Sequence, residues 1–125
     1  MAKILLAEDD ESGRHLIVRM LEKLGHEVVE AENGDVALQA LGEPGGDVGT
    51  AFAAVLMDLQ MPVLDGLDAT RRLREMGWSD LPVIAVTAHA MVGDREKCLR
   101  AGMNDYLSKP LTLDLLRDIL RRWIG

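Results

Sequence analysis

The chain has 125 residues, of which 48% are hydrophobic and 28% are charged, so its length and composition suit one globular domain with a single core. A formal net charge of −7 argues against direct binding to nucleic acid, whose phosphates require a basic surface. No apolar run approaches the roughly 20 residues that cross a bilayer. The single cysteine, Cys98, excludes an internal disulfide and is typical of a reducing compartment. We therefore predict one cytoplasmic domain over residues 1–125 with no effector domain.

Short apolar runs alternate with amphipathic segments from the amino terminus onward. The first run, KILLA, ends in acidic residues and is followed by a segment in which apolar residues, Leu16 among them, recur at helical spacing. The alternation continues to a last helix that begins at Leu113 and is capped by Thr112. In chain order, the pattern predicts strands at 3–7, 26–30, 52–57, 82–86 and 104–107, and helices at about 12–24, 34–41, 66–76, 91–101 and 113–123.

Five strands that alternate with five helices predict an α/β domain. Parallel neighbours need crossover connections, so we expect a parallel sheet that is covered by helices on both faces. The glycine-rich stretch at 42–50 is then a surface connection between a helix and a strand, because too few residues flank it for two separate cores.

The central predicted strand runs directly into one carboxylate. Residues 52–57 are all apolar, which is typical of a strand buried on both faces of a parallel sheet. Asp58 follows at the carboxyl end of this strand, where open α/β sheets bind their ligands. Pro62 cannot donate a ladder hydrogen bond, so a loop must begin there.

Chemically active side chains follow four of the five predicted strands. Glu8 and Asp9 follow the first, and Asp58, Thr87 and Lys109 follow the third, fourth and fifth. Because these ends share one edge of a parallel sheet, three carboxylates, a hydroxyl and an ammonium group converge there. Mg²⁺ suits such an oxygen-rich site, since it binds one or two carboxylates, keeps waters and accepts phosphate oxygens. The set therefore predicts a site for transfer of a phosphoryl group to Asp58.

At these residues the sequence resembles a known family, the receiver domains of two-component response regulators. The resemblance covers essentially the whole chain and is closest to receivers of hybrid sensor kinases or to stand-alone receivers. It implies a CheY-like, flavodoxin-like (βα)5 three-layer sandwich with strand order 2-1-3-4-5. The motifs that carry it are Glu8-Asp9, Met57-Asp58-Leu59-Gln60-Met61-Pro62, Asp65-Gly66, Val86-Thr87-Ala88 and Tyr106-Leu107-Ser108-Lys109-Pro110.

The resemblance also implies roles for individual residues. Asp58 would be the phosphoacceptor, and Lys109 would pair with it or with the phosphoryl group. Asp9, Asp58 and the backbone carbonyl of Gln60 would ligate Mg²⁺, or alternatively Mn²⁺, while Glu8 would act mostly through ordered water. The bond between Lys109 and Pro110 would be cis.

Two further groups of residues follow from the same resemblance. Thr87 and Tyr106 would form a switch that moves the face made by the fourth helix, the fifth strand and the fifth helix, although Tyr106 alone also suits a static, half-buried aromatic residue. Gln60 and Ala88 would tune how long the phosphoryl group survives.

The implied partners are proteins. A histidine kinase or a histidine phosphotransfer protein would dock near Arg14, His15 and Val18 on the first helix, and a downstream protein would bind the switch face. The domain would not be an enzyme in its own right, although it would assist its own phosphorylation and dephosphorylation.

Three other classes of protein share part of this pattern. A phosphatase of the haloacid dehalogenase type also uses an Asp after a strand, but it needs a second Asp where this chain has Gln60. A nucleotide or flavin binder needs a glycine-rich phosphate loop after the first strand, where this chain has the acidic residues 8–11. An unphosphorylated interaction module would have lost Asp58 or Lys109, and both are present.

Overall fold

The computed structural model describes residues 2–42, 44, 52–88 and 93–124. The strands form one parallel sheet in the order β2-β1-β3-β4-β5, which confirms the predicted class and topology. In chain order the elements are β1 (Lys3–Ala7), α1 (Glu11–Lys23), β2 (Glu27–Ala31), α2 (Gly34–Leu41), β3 (Phe52–Asp58), α3 (Gly66–Glu75), β4 (Val83–Thr87), α4 (Asp94–Ala101), β5 (Asp105–Ser108) and α5 (Leu113–Ile124).

Alternate residues of each central strand enter two separate hydrophobic layers. In β1, Leu5 packs with residues of α2, α3 and α4 on one face, whereas Ile4 and Leu6 pack with residues of α1 and α5 on the other. Since both faces are covered, the central strands are apolar over most of their length and carry no polar face, and their polar residues lie at the strand ends. Cys98 of α4 is fully buried in the first layer.

Three strands begin and end one residue later than the hydrophobic pattern predicts. β2, β4 and β5 extend to Ala31, Thr87 and Ser108, because the parallel ladder pairs Ala7 with Ala31 and Thr87 with Ser108. The same pairing includes Asp58 as the last residue of β3, opposite Val86. The phosphoacceptor candidate and Thr87 are therefore held by the sheet itself.

Two glycines hold the loop after β3 against its surroundings. A Cβ atom on Gly66 would lie 2.1 Å from the backbone oxygen of Asp58, and one on Gly34 would lie 2.5 Å from that of Leu64. The amide of Gly34 donates a 3.0 Å hydrogen bond to the same Leu64 oxygen. Any larger residue at either position would displace the segment that carries Asp58.

Parts of some predictions lie outside the described residues. These are most of the glycine-rich stretch at 42–50 and the predicted start of the fourth helix at Met91. Among the described helices, none has both the length and the apolar composition that crossing a membrane requires.

Candidate functional site

The structure brings the predicted carboxylates together at the carboxyl edge of the sheet. One oxygen from each of Glu8, Asp9 and Asp58 lies within 4.8 Å of the others. The side chain of Asp58 is nearly buried, with the residue 7% exposed, whereas Asp9 is exposed to solvent. A buried carboxylate beside an accessible one can bind a cation that approaches from solvent.

Glu8 is the most deeply buried charged residue of this group, at 1% exposure. Its Oε1 atom forms an ion pair with Lys109, while Oε2 has no hydrogen-bond partner within the described part of the chain. Burial, and then the neighbouring Asp58 carboxyl, raise the pKa of Glu8 from 4.5 to about 7, although Lys109 opposes this shift. An unpartnered carboxylate oxygen in a cluster of carboxylates is a suitable ligand for Mg²⁺.

Lys109 contacts both buried carboxylates. Its Nζ atom pairs with Glu8 and lies 3.7 Å from Oδ2 of Asp58. Burial lowers the pKa of Lys109, but the hydrogen bond that Lys109 donates to Glu8 and the charge of Asp58 outweigh burial and hold this pKa above its usual value. The ammonium group is therefore charged beside the carboxylate that is the candidate nucleophile. The bond between Lys109 and Pro110 is cis, as predicted.

The remaining predicted residues surround this centre at different depths. Thr87 is buried at the end of β4 next to Asp58, whereas Gln60 and Ala88 are exposed on the two loops that flank it. The backbone N–H of Gln60 donates a long 3.4 Å hydrogen bond to Oδ1 of Asp58, so the loop after β3 turns around the carboxylate. Tyr106 is partly buried and pairs with Ala85 across β4 and β5, two residues before the Thr87 position.

Two residues near the site have roles that the sequence pattern did not predict. Asp10 caps α1, since its Oδ2 atom accepts a 2.8 Å hydrogen bond from the amide of Gly13. Arg14 donates from Nη1 to the backbone oxygen of Glu8 at 2.9 Å and from Nε to Glu30 at 3.1 Å. A helix-capping pattern could have identified Asp10, because an Asp directly before a helix is a common N-cap. No sequence signal could have fixed the direction of the Arg14 side chain.

A shallow apolar cavity of about 410 Å³ adjoins this centre on the α1 side. Leu16, Ile17 and Met20 of α1 line it together with Pro110 and Leu111, and Lys109 lies at its border. Leu16 is 56% exposed, so it is not part of the buried stripe of α1 that its spacing predicts. An apolar depression thus lies next to the carboxylate cluster and opens to solvent.

Comparison with known proteins identifies the family. The profile of the family described as response regulator receiver domain matches residues 4–121. The chain is 40% identical over 125 residues to hybrid signal transduction histidine kinase I of Dictyostelium discoideum, covering 98% of this chain. It spans only 7% of the length of that kinase.

Two solved structures have the same fold over nearly the whole chain. The receiver domain of a sensor histidine kinase from Pseudomonas aeruginosa PAO1, which has a magnesium ion coordinated in its active-site cleft, is 44% identical with a TM-score of 0.86 and coverage of 99% and 98% of the two chains. A chain of the Saccharomyces cerevisiae complex between the histidine phosphotransfer protein Ypd1 and the Ssk1 receiver domain is 27% identical, with a TM-score of 0.85 and coverage of 98% and 88%.

Proposed function

The chain belongs to the response regulator receiver domain family, and from this we propose that Asp58 accepts a phosphoryl group from the phosphohistidine of a histidine kinase or phosphotransfer protein. The observation that supports this most strongly is the nearly buried Asp58 carboxylate with Lys109 at 3.7 Å and two further carboxylates beside it. In the reaction, an Asp58 oxygen forms a bond to phosphorus while the bond between phosphorus and the histidine nitrogen breaks.

The carboxylate cluster fits Mg²⁺, or Mn²⁺ in its place. Glu8, Asp9, Asp58 and the backbone carbonyl of Gln60 would hold the ion, which supplies positive charge to the anionic phosphoryl donor when it is bound. The unpartnered Oε2 atom of Glu8 supports this fit. Lys109 supplies a second cation and Thr87 a hydroxyl donor for the phosphoryl oxygens.

The first test is intact mass after incubation with Mg²⁺ and acetyl phosphate. We expect one phosphoryl adduct that resists acid but is cleaved by hydroxylamine, as an acyl phosphate is. The adduct should be absent with EDTA and in Asp58→Asn, and present in Asp80→Asn, which removes an exposed carboxylate elsewhere. An adduct that persists in Asp58→Asn, or none with wild type, would contradict the proposal.

Gln60 and Ala88 are proposed to set the lifetime of this acyl phosphate. Both are exposed on the loops beside Asp58, and an attacking water would pass their side chains to reach the acyl phosphate. We expect Ala88→Met to slow loss of the adduct by crowding this path, and Gln60→Ala to change the rate without preventing phosphorylation. The fraction of phosphorylated protein, followed by intact mass after removal of acetyl phosphate, measures both rates. Unchanged rates in both variants would contradict this role of Gln60 and Ala88.

We place the docking site of the phosphohistidine partner on α1. His15 and Leu16 are exposed and Val18 is half-buried there, and the apolar cavity between α1 and Pro110 adjoins Asp58 through Lys109. A helix pair of a phosphotransfer protein that placed apolar residues in this cavity would bring its phosphohistidine to Asp58. The complex of Ypd1 with a receiver domain supports a partner of this kind. Arg14, predicted as a docking residue with them, has its guanidinium engaged at Glu8 and Glu30.

Changes at this docking site should affect phosphoryl transfer from a protein donor but not from a small-molecule donor. We expect Leu16→Gln and His15→Ala to slow transfer from a phosphorylated phosphotransfer protein by about tenfold, with no change in labelling by acetyl phosphate. Leu115→Gln is the matched control, because Leu115 is an exposed leucine on α5. Equal losses with both donors would argue against docking at this surface.

Thr87 and Tyr106 are proposed to pass phosphorylation to the face made by α4, β5 and α5, where a downstream protein would bind. Thr87 is buried beside Asp58, and Tyr106 lies on the neighbouring strand. We expect acetyl phosphate to shift the amide resonances of α4, β5 and α5 in wild type. In Thr87→Ala the adduct should form while these shifts become much smaller. Identical shifts in the two proteins would mean that Thr87 is not part of the switch.

A further inference from the structure

Arg14 projects from the first turn of α1 back towards the end of β1. Its side chain is only 17% exposed, and its guanidinium bridges two groups. Nη1 donates to the backbone oxygen of Glu8 at 2.9 Å, and Nε donates to Oε1 of Glu30 on β2 at 3.1 Å. Glu30 thus orients the guanidinium, and the planar arrangement of its donors lets one side chain reach both acceptors.

The acceptor at Glu8 is the carbonyl of the peptide that joins Glu8 to Asp9. A change in the ψ angle of Glu8, which sets the orientation of this peptide, would redirect the chain from Asp9 onward and so move the Asp9 carboxylate relative to that of Glu8. The amide of Glu8 is tied to the backbone oxygen of Ala31 at 3.0 Å. Arg14 fixes the other side of the residue, so the turn is held at both of its peptide groups.

We propose that Arg14 is a positioning residue for the cation site: it holds the peptide between Glu8 and Asp9 so that both carboxylates face Asp58. The proposal rests on the proposed function of this site as a Mg²⁺-dependent phosphoacceptor. It also gives Arg14 a role other than docking, because its side chain is only 17% exposed and therefore offers little surface to a partner.

Loss of the Arg14 charge and loss of its positioning role would change the affinity for Mg²⁺ in opposite directions. Loss of a nearby positive charge strengthens the attraction of the site for a divalent cation. Loss of a group that orients the ligands weakens metal binding, commonly by 10–100-fold for residues that support ligands through hydrogen bonds. Weaker binding of Mg²⁺ after Arg14→Gln therefore cannot arise from charge.

The experiment is a Mg²⁺ titration of the metal-free protein, followed through amide resonances by NMR, which report binding and the folded state in the same spectra. We expect Arg14→Gln to raise the Kd for Mg²⁺ about tenfold. Arg14→Lys keeps the charge but cannot reach both acceptors, so its Kd for Mg²⁺ should lie between those of wild type and Arg14→Gln. Arg19→Gln, which removes an exposed arginine from the same helix, should bind as tightly as wild type or slightly more tightly.

An Arg14→Gln protein that binds Mg²⁺ as well as wild type or better would overturn the proposal. If Arg14→Gln does not fold, Arg14→Lys is judged by the same criterion. Failure of the proposed function is distinguishable, because wild type itself would then show no acetyl phosphate adduct, while the Mg²⁺ titrations still compare Arg14 with Arg19. A wild type without Mg²⁺ shifts at Glu8, Asp9 and Asp58 would overturn both.

Discussion

Glu8 is a carboxylic acid that is almost completely removed from water, and its two oxygens have different surroundings. Oε1 is paired with Lys109, and Oε2 is unpartnered within the described residues. Burial and the adjacent Asp58 carboxyl place its pKa near 7 in the fold, compared with 4.5 as its usual value. The folded, metal-free protein thus holds a proton that an unfolded chain releases at a lower pH.

This difference predicts how the stability of the metal-free protein varies with pH. Because the folded-state pKa is the higher one, the stabilising contribution is complete below pH 4.5 and is lost as the pH rises through about 7. Between about pH 5 and 8, we expect wild type to lose roughly 1–3 kcal/mol of unfolding free energy relative to Glu8→Gln, which cannot ionise. Urea unfolding of both proteins across this range measures the difference. If the unfolding free energies of the two proteins varied with pH in the same way, the pKa of Glu8 would not be raised.

Val63 is a second residue in an unfavourable environment. Its φ angle is 69°, its side chain is 81% exposed, and the amide of Leu64 donates to the backbone oxygen of Pro62 across it at 2.7 Å, which forms a γ-turn. A β-branched residue at positive φ costs about 1–3 kcal/mol. The loop that follows Asp58 therefore contains backbone strain.

Relief of this strain should stabilise the protein. Asn tolerates positive φ better than Val does, so we expect Val63→Asn to raise the free energy of unfolding by about 1 kcal/mol. Val63→Thr is the matched control, since it replaces the apolar surface but keeps the branched shape and should give no gain. Chemical denaturation measures both, and a destabilised Val63→Asn protein would show that the turn is not strained.

At the scale of elements, one arginine connects the end of α3 to two neighbouring loops. The guanidinium of Arg74 donates to the backbone oxygens of Trp78, Leu81 and Gly102 and to Oδ1 of Asn104, at distances between 2.6 and 2.9 Å. Asn104 also accepts from the amide of Val83 at 2.9 Å, so the same network reaches the start of β4. Burial lowers the pKa of Arg74, although Asp80 opposes this shift.

Replacement of Arg74 should destabilise the fold without changing any side chain of the carboxylate cluster around Asp58. Arg74→Met leaves several carbonyl oxygens without a donor, and we expect a loss of roughly 2–4 kcal/mol of unfolding free energy. Arg72→Met removes an exposed arginine from the same helix and should cost less than about 0.5 kcal/mol. Similar losses in the two variants would show that the network adds no stability.

The predictions from sequence succeeded for elements and failed at their edges, for physical reasons. Apolar runs and helical spacing identified all ten described elements because burial on two faces dominates the composition of each strand. Spacing gives the direction of a helix face but not its width, and Leu16 consequently lies exposed at the margin of the apolar face of α1. Strand ends depend on pairing between strands, which hydrophobicity does not record.

For the whole molecule, the parallel sheet explains why a site could be predicted at all. Every strand ends at the same edge, so residues as distant in sequence as Glu8 and Lys109 must converge. Their pairing with each other, the cap at Asp10 and the bridge from Arg14 were not predictable, because they depend on loop conformations and rotamers. Topology sets which residues meet, and side-chain packing sets which of them bond.

The convergence of carboxylates at one sheet edge destabilises the metal-free fold. Three carboxylates share one edge of a domain whose formal net charge is −7, and only Lys109 forms a salt bridge with the buried pair in the described residues. Each uncompensated carboxylate pair at about 5 Å costs roughly 3 kcal/mol at an effective dielectric constant near 20. We therefore expect Asp58→Asn to be more stable than wild type when no divalent cation is present.

Mg²⁺ should narrow this difference, because it binds the folded state and not the unfolded chain. At ten times its Kd, the ion adds about 1.4 kcal/mol to wild type, which corresponds to a rise in Tm of about 3–6 °C for a domain of this size. Asp58→Asn lacks one ligand and should gain much less. Thermal unfolding with EDTA and with increasing MgCl₂ measures both, and NaCl at equal ionic strength separates binding from screening. If NaCl reproduced the rise in Tm, the cluster would be a screened acidic surface rather than a metal site.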